Sequence, residues 1–147
     1  YYGPDDPASR AFHGLKTYNK AMWGESGVAF IYNVHKYWMF NVVAHESNQI
    51  GAVLIRAIEP IEGIDLMEQN RKTDVLRELT TGPGKLTLAM RITKNLNRTD
   101  LTDSKNEVFI ADSESRFQTG HSYRIGVTKD LQKELRFYIK GNMFVSK

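Results

Sequence analysis

Two aromatic, apolar runs with only His35 and Lys36 between them restrict this chain more than any other feature. They are Gly27-Val-Ala-Phe-Ile-Tyr32-Asn-Val34 and Tyr37-Trp-Met-Phe-Asn41-Val-Val-Ala44. Strand-forming runs joined by a two-residue gap read as a β-hairpin. A third run, Gly51 to Ile58, is apolar almost throughout with Arg56 inside it, which predicts a central strand.

The middle of the chain changes period. Ile61, Ile64 and Met67 recur at helical spacing, as do Val75, Leu76 and Leu79 after a possible N-cap at Thr73. Gly82-Pro83-Gly84 breaks the pattern before Leu86, Ala89 and Met90 mark a further helix. Residues 8–26 and 93–122 are polar and loop-like, with Val108 to Ile110 a short strand, and Arg124 to Val127 and Leu135 to Ile139 read as closing strands. Tyr1 to Pro7 reads as a strand end running into a turn. With no repeat and no linker, residues 1–147 are expected to form a single α+β domain: a mostly antiparallel, curved sheet with a protruding hairpin and peripheral helices.

Composition sets limits on chemistry. A chain of 147 residues with 41% hydrophobic content can bury roughly 70% of its unfolded surface without staples. The absence of cysteine excludes thiolate metal sites, cysteine nucleophiles and redox pairs. The longest apolar run falls far short of the roughly 20 residues of a membrane span, so no membrane partner is expected. With no signal-peptide pattern at its start, the chain is expected to be intracellular, cytoplasmic (nucleoid) or nuclear and not secreted. The net charge of +3 leans weakly towards polyanions.

Three local signals are set aside. Gly82-Pro83-Gly84-Lys85 lacks the glycine spacing and the Lys-Ser/Thr pair of a phosphate loop. His13, His35, His45 and His121 are scattered without ligand spacing, so neither a metal nor a cofactor is expected. Asn97-Arg98-Thr99 matches a glycosylation sequon in a chain with no sign of secretion.

The hairpin carries the functional signal. Phe30, Tyr32, Tyr37, Trp38 and Phe40 crowd its arms above a polar, basic tip. Such aromatics are ordinarily core, yet Tyr32 and Asn41 also offer flat faces and hydrogen bonds to a nucleobase. Arg56 in an apolar strand is either a structural ion pair or a phosphate or substrate contact.

Read in order, several stretches resemble the alkyladenine type of 3-methyladenine DNA glycosylase. They are Tyr1-Tyr-Gly-Pro-Asp-Asp-Pro-Ala-Ser9, Asn19 to Trp23, Phe30 to Asn41, Ala52-Val-Leu-Ile-Arg-Ala-Ile-Glu-Pro60 with Glu62-Gly63, Gly82 to Leu86, Asp100-Leu101, Arg124 to Val127, and Leu135 to Gly141. The resemblance implies monofunctional hydrolysis of the glycosidic bond of alkylated or deaminated purines, of the 3-methyladenine, 7-methylguanine and hypoxanthine class. The partner is double-stranded DNA containing a damaged purine, and the protein acts as a monomer without a cofactor. The base is rotated out of the stack because the bond cannot be reached inside it.

Carried over residue by residue, the resemblance makes Tyr1 and Tyr32 the aromatic walls of a pocket and Asn41 the side chain that crowds the guanine amino group. Arg56 and the backbone of Ile125 match positions that hold the attacking water. The family's general-base glutamate would stand two residues before Tyr1, ahead of the first residue of this chain. Its pocket histidine falls at Arg10. At the hairpin tip, His35, Lys36 and Tyr37 match DNA-contacting positions, with His35 either the wedge that enters the duplex or a solvated turn residue. The alternative from another class is a non-catalytic DNA- or RNA-binding module on the same fold.

Overall fold

In the computed structural model, which describes residues 1–146, Val34 pairs with Tyr37, so the hairpin closes through the two residues expected. Strand β1 (Ala29–Val34) runs antiparallel to β2 (Tyr37–Val43), which pairs in turn with β3 (Ala52–Leu54). Tyr1 to Gly3 lies along the other side of residues 50–52. Gly3 N donates to the Ile50 carbonyl at 2.6 Å and Ala52 N donates to the Tyr1 carbonyl at 3.1 Å. Gly51 is pinched between these two neighbours, where a Cβ would stand 2.7 Å from the Ala44 carbonyl oxygen. Only glycine lets three backbones approach so closely.

The alternation of side chains divides the sheet into two buried faces. Phe30 and Val43 pack with Ala11, Ala21, Met22 and Ala52, beneath a 3-10 turn at Thr17–Trp23. Ala29, Ile31 and Phe40 pack on the opposite side against Leu86, Ile92 and Leu101. Burial on both faces explains why these strands read as almost unbroken apolar runs. The helices α1 (Ile64–Arg71), α2 (Leu76–Thr80) and α3 (Pro83–Ala89) all follow β3 in the chain, and α3 supplies Leu86 to the second face. Pro83 occupies the first turn of α3, so the Gly82-Pro83-Gly84 break is a helix start, as proline's missing N–H permits there.

Several element boundaries differ from expectation. The third strand ends at Leu54, and Arg56 lies beyond it; only the bond from Ile55 N to the Phe40 carbonyl, at 3.0 Å, extends the pairing. Ile61 is 85% exposed and outside α1, which begins only after Gly63 takes a left-handed φ of 69°. Thr73 does not cap α2; its Oγ1 accepts from Val75 N, and the helix starts at Leu76. Val108 to Ile110 forms no strand, only a bond from Ile110 N to the Leu101 carbonyl. Arg124 to Val127 is a bend with Gly126 at φ 74°, and the partner of β5 (Arg136–Ile139) is instead β4 (Thr119–Ser122), hidden in the polar stretch. The discarded sequon has a structural use: Asn97 Oδ1 accepts from Ile31 N at 2.8 Å and helps close the outer edge of β1. Among the described residues, no helix is long and apolar enough to cross a membrane.

Candidate functional site

Pairing of Phe30 with Asn41 puts both on the sheet face that also carries Tyr32, since alternate residues share a face. Tyr1, held beside Ala52 by the edge pairing, reaches the same place. Tyr1, Arg10, Tyr32 and Asn41 therefore converge on one slot, floored by Ala8, Met22, Phe30 and Ala52. Its free volume is only about 10 Å³, so the slot is closed in this conformation.

Each polar member is held by an identifiable partner. Asn41 is buried, and its Nδ2 donates to the Phe30 and Met39 carbonyls at 3.0 and 3.1 Å. Those bonds consume both amide hydrogens and leave Oδ1 as the group without a protein partner. The Tyr32 ring leans on Phe30 at 5.1 Å between centroids. Arg10 also lies over the Tyr32 ring, with its guanidinium carbon 4.6 Å from the centroid. The Arg10 backbone is fixed by the buried Asn19, whose Nδ2 donates to the Arg10 carbonyl at 2.7 Å and to the Gly14 carbonyl at 3.0 Å. Asn19 Oδ1 completes the clasp by accepting from Lys16 N at 2.6 Å.

Tyr1 is also the wall of a second, larger space. A cleft of about 730 Å³ runs between residues 50–59 and β5, and Arg56, Arg124 and Ile125 line it together with Tyr1. The residues expected to hold water line this cleft and not the slot, and the two spaces meet at Tyr1 and Ala52. Arg56 is half-buried and donates from Nε to the Ser146 hydroxyl at 3.2 Å. Burial pulls its guanidinium below the ordinary value, with Arg136 adding to the effect and Tyr1 opposing it. Burial likewise raises the Tyr1 phenol, and Tyr32 raises it further against the pull of Arg124 and Arg56, so it stays neutral well above physiological pH.

The most strongly held group at the site was not singled out from the sequence. The Arg124 side chain is 6% exposed, stacks 4.9 Å from the Tyr1 ring centroid and forks onto Asp6 through Nη1 at 2.6 Å and Nη2 at 2.9 Å. Its Nε donates to Asp130 Oδ1 at 2.8 Å. Asp6 lines neither the slot nor the cleft, but for all its place in a turn it is fully buried and also accepts from Tyr2 N and Ala8 N, each at 3.0 Å. Burial pushes the Asp6 carboxyl up, but its bonds to Arg124, Tyr2 and Ala8 outweigh that and hold it below the usual range. Arg124, flanked by two acids, is raised above the usual arginine value despite its burial. Among the described residues, no carboxylate lines the slot itself.

The hairpin tip stands outside both spaces. His35 and Lys36 are exposed, and His35 adopts a left-handed φ of 54°. Lys36 Nζ lies 5.4 Å from the Tyr37 ring centroid. Tyr37 packs on α3 so tightly that a Cβ on Gly84 would meet its Cγ at 2.8 Å. The other histidines do not join the site: His13 stacks on Phe12, His45 contacts Glu46 and Gly24 carbonyls, and His121 pairs with Glu134.

Sequence comparison adds the following. The profile of the methylpurine-DNA glycosylase family matches residues 1–143. A protein of Mesorhizobium japonicum is 40% identical over 99% of this chain and 70% of its own length. One of Methanoculleus marisnigri is 38% identical over 97% of this chain and 76% of its own. One of Aeropyrum pernix is 35% identical over all of this chain and 72% of its own. All three bear the provisional name 3-methyladenine DNA glycosylase.

Proposed function

Because the chain belongs to the methylpurine-DNA glycosylase family, we propose that it serves DNA repair as an N-glycosylase for alkylated or deaminated purines flipped out of duplex DNA. The observation that carries this reading is the convergence of Tyr1, Tyr32 and Asn41 on one slot. Two aromatic walls can each stack a flipped base, at about 1–3 kcal/mol per base, against a flipping cost of a few kcal/mol. The closed slot opens by displacing Arg10, an exposed side chain held only by its contact with the Tyr32 ring while its backbone stays fixed by Asn19. Asn41 is too rigidly held to move aside, so a purine with an exocyclic amino group at its position is rejected.

In the reaction, water attacks C1′ as the bond to the purine nitrogen breaks and its electron pair leaves with the base. A general base takes the water proton while the sugar develops oxocarbenium character. Arg56 and the Ile125 backbone, beside Tyr1 in the larger cleft, are proposed to position that water. Asp6 is unsuited as the general base, since Arg124 and two backbone N–H groups occupy its oxygens. By the family resemblance that role belongs to a glutamate two residues ahead of the position that Tyr1 matches. His35, Lys36 and Tyr37 are proposed to meet the DNA, Tyr37 from a position fixed by α3.

The test is base release from a duplex carrying one hypoxanthine, read as strand cleavage at the abasic site. A chain with Glu-Ala added before Tyr1 should exceed residues 1–147 by roughly 10²–10⁴, the usual worth of a positioned base. Binding of the damaged duplex without release by either form would favour the second reading, a non-catalytic DNA-binding module.

A further inference from the structure

Both aromatic walls of the slot already carry a cation. Arg124 covers Tyr1 and Arg10 covers Tyr32, at 4.9 and 4.6 Å from the ring centroids. Their electrostatic settings are opposite. Arg124 is flanked by Asp6 and Asp130, whereas Arg10 has no acidic partner among the described residues. Arg56, which lines the neighbouring cleft with Tyr1, bonds to a hydroxyl and also lacks an acidic partner among the described residues. Three guanidinium groups therefore face two carboxylates, and both carboxylates are committed to Arg124. The uncompensated positive charge that touches the slot is that of Arg10.

We propose that Arg10 sets the lesion specificity of this pocket: it selects neutral purines with two acceptors on the Hoogsteen edge, as in hypoxanthine, over purines made cationic by N-alkylation. The inference rests on the slot being the base pocket. A cationic base ordinarily gains from an aromatic face, but here that gain is already taken by Arg10, which the base would have to displace. The two like charges would then lie well inside the screening length of about 10 Å. A guanidinium fork matches paired N7 and O6 acceptors, as it does on guanine. Hypoxanthine presents the same pair. Methylation at N7 removes one acceptor, and the amino group of 3-methyladenine sets a donor against the arginine donors. Guanine itself shares the edge but carries the amino group that Asn41 excludes, so Arg10 and Asn41 together specify a deaminated purine. Asn19 fixes the Arg10 backbone, which keeps the fork at the mouth of the slot.

The test measures affinity for a hypoxanthine duplex and for a 7-methylguanine duplex stabilised by a 2′-fluoro sugar, each as a ratio to the same duplex with unmodified guanine. The ratios cancel any general loss of phosphate attraction. The native chain should prefer hypoxanthine over 7-methylguanine by about tenfold or more, the scale of one lost charged contact. Arg10→Gln should reduce that preference at least about fivefold, chiefly by improving 7-methylguanine binding, while Arg10→Lys should leave 7-methylguanine binding as weak as in the native chain and weaken hypoxanthine binding. A preference unchanged by Arg10→Gln, with damaged duplexes still bound more tightly than the unmodified one, overturns the role of Arg10 alone. If no lesion is bound more tightly than the unmodified duplex, the reading of the slot as a base pocket fails, and this inference with it.

Discussion

Arg124 and Asp6 stand 118 residues apart in the chain and are joined by two parallel hydrogen bonds of 2.6 and 2.9 Å, with the arginine stacked on Tyr1. This fork ties the first residues to the far end of the chain and braces one wall of the slot. Removing one partner of a buried pair strands the other charge, at a cost of about 3–5 kcal/mol. Asp130 shares Arg124, which moves the expected cost to the lower end. Asp6→Asn should therefore destabilise by roughly 3 kcal/mol. Urea unfolding checks this, and a change under about 0.5 kcal/mol, the range of an ordinary surface substitution, contradicts it.

The same pair gives a pH dependence. Asp6 is held below its ordinary value in the folded state, so its contribution is complete above the unfolded carboxyl pKa of about 3.9. It is lost as pH falls through the lower folded value. The unfolding free energy should drop more steeply for the native chain than for Asp6→Asn as pH falls below about 4. Parallel curves would show that the fork contributes no linkage.

Gly84 tests how the hairpin is mounted. Its φ is ordinary, so alanine is conformationally acceptable there, but the added Cβ would stand 2.8 Å from Tyr37 Cγ and 3.0 Å from its Cβ. Gly84→Ala should cost about 1–3 kcal/mol through overpacking. Gly14→Ala, where no atom lies within 4 Å, reports the backbone penalty of a left-handed glycine alone and should leave DNA affinity unchanged. Damaged-duplex affinity should fall for Gly84→Ala, because the tip is displaced.

How much of this was legible follows from the range of each interaction. The hairpin was readable because strand alternation and a two-residue gap are local, and the shared face of Tyr32 and Asn41 follows from its register. β4 was not, because Thr119–Ser122 is polar and its Gly120 serves only to admit the Tyr138 ring. The Asp6–Arg124 fork leaves no pattern at any spacing, and Asp6 sits in a turn that reads as ordinary surface chemistry. Tyr1 and Arg10 reached the site through family resemblance; their convergence depends on edge pairing and the Asn19 clasp.

Asn41 supplies a selectivity prediction. Its amide is fixed by two carbonyls, so the side chain cannot yield to a bulkier base edge. Asn41→Ser should raise binding of a guanine-containing duplex relative to the hypoxanthine one, since the shorter side chain leaves room for the amino group. Competition between the two duplexes measures it. An unchanged ratio would mean that Asn41 does not read that edge.

General DNA attraction should come from a few exposed cations. Arg56 and Arg136 are engaged internally with Ser146, which leaves Lys36 at the tip and Lys140 beyond β5 as better phosphate contacts. Lys36→Gln should lower affinity about equally for damaged and undamaged duplexes and reduce the salt slope by about 0.9, the worth of one phosphate neutralised. A slope unaltered by Lys36→Gln would place the tip away from the DNA backbone.

The most direct test of a base pocket walled by Tyr1 and Tyr32 is the affinity of the native chain and of Tyr32→Ala for one duplex with and without a single hypoxanthine. The native chain should bind the damaged duplex more tightly. Tyr32→Ala should lose about 1–3 kcal/mol on it while its affinity for the undamaged duplex barely changes. Equal losses on both duplexes, in a variant shown by its Tm to be folded, would mean that Tyr32 supports the hairpin and holds no base.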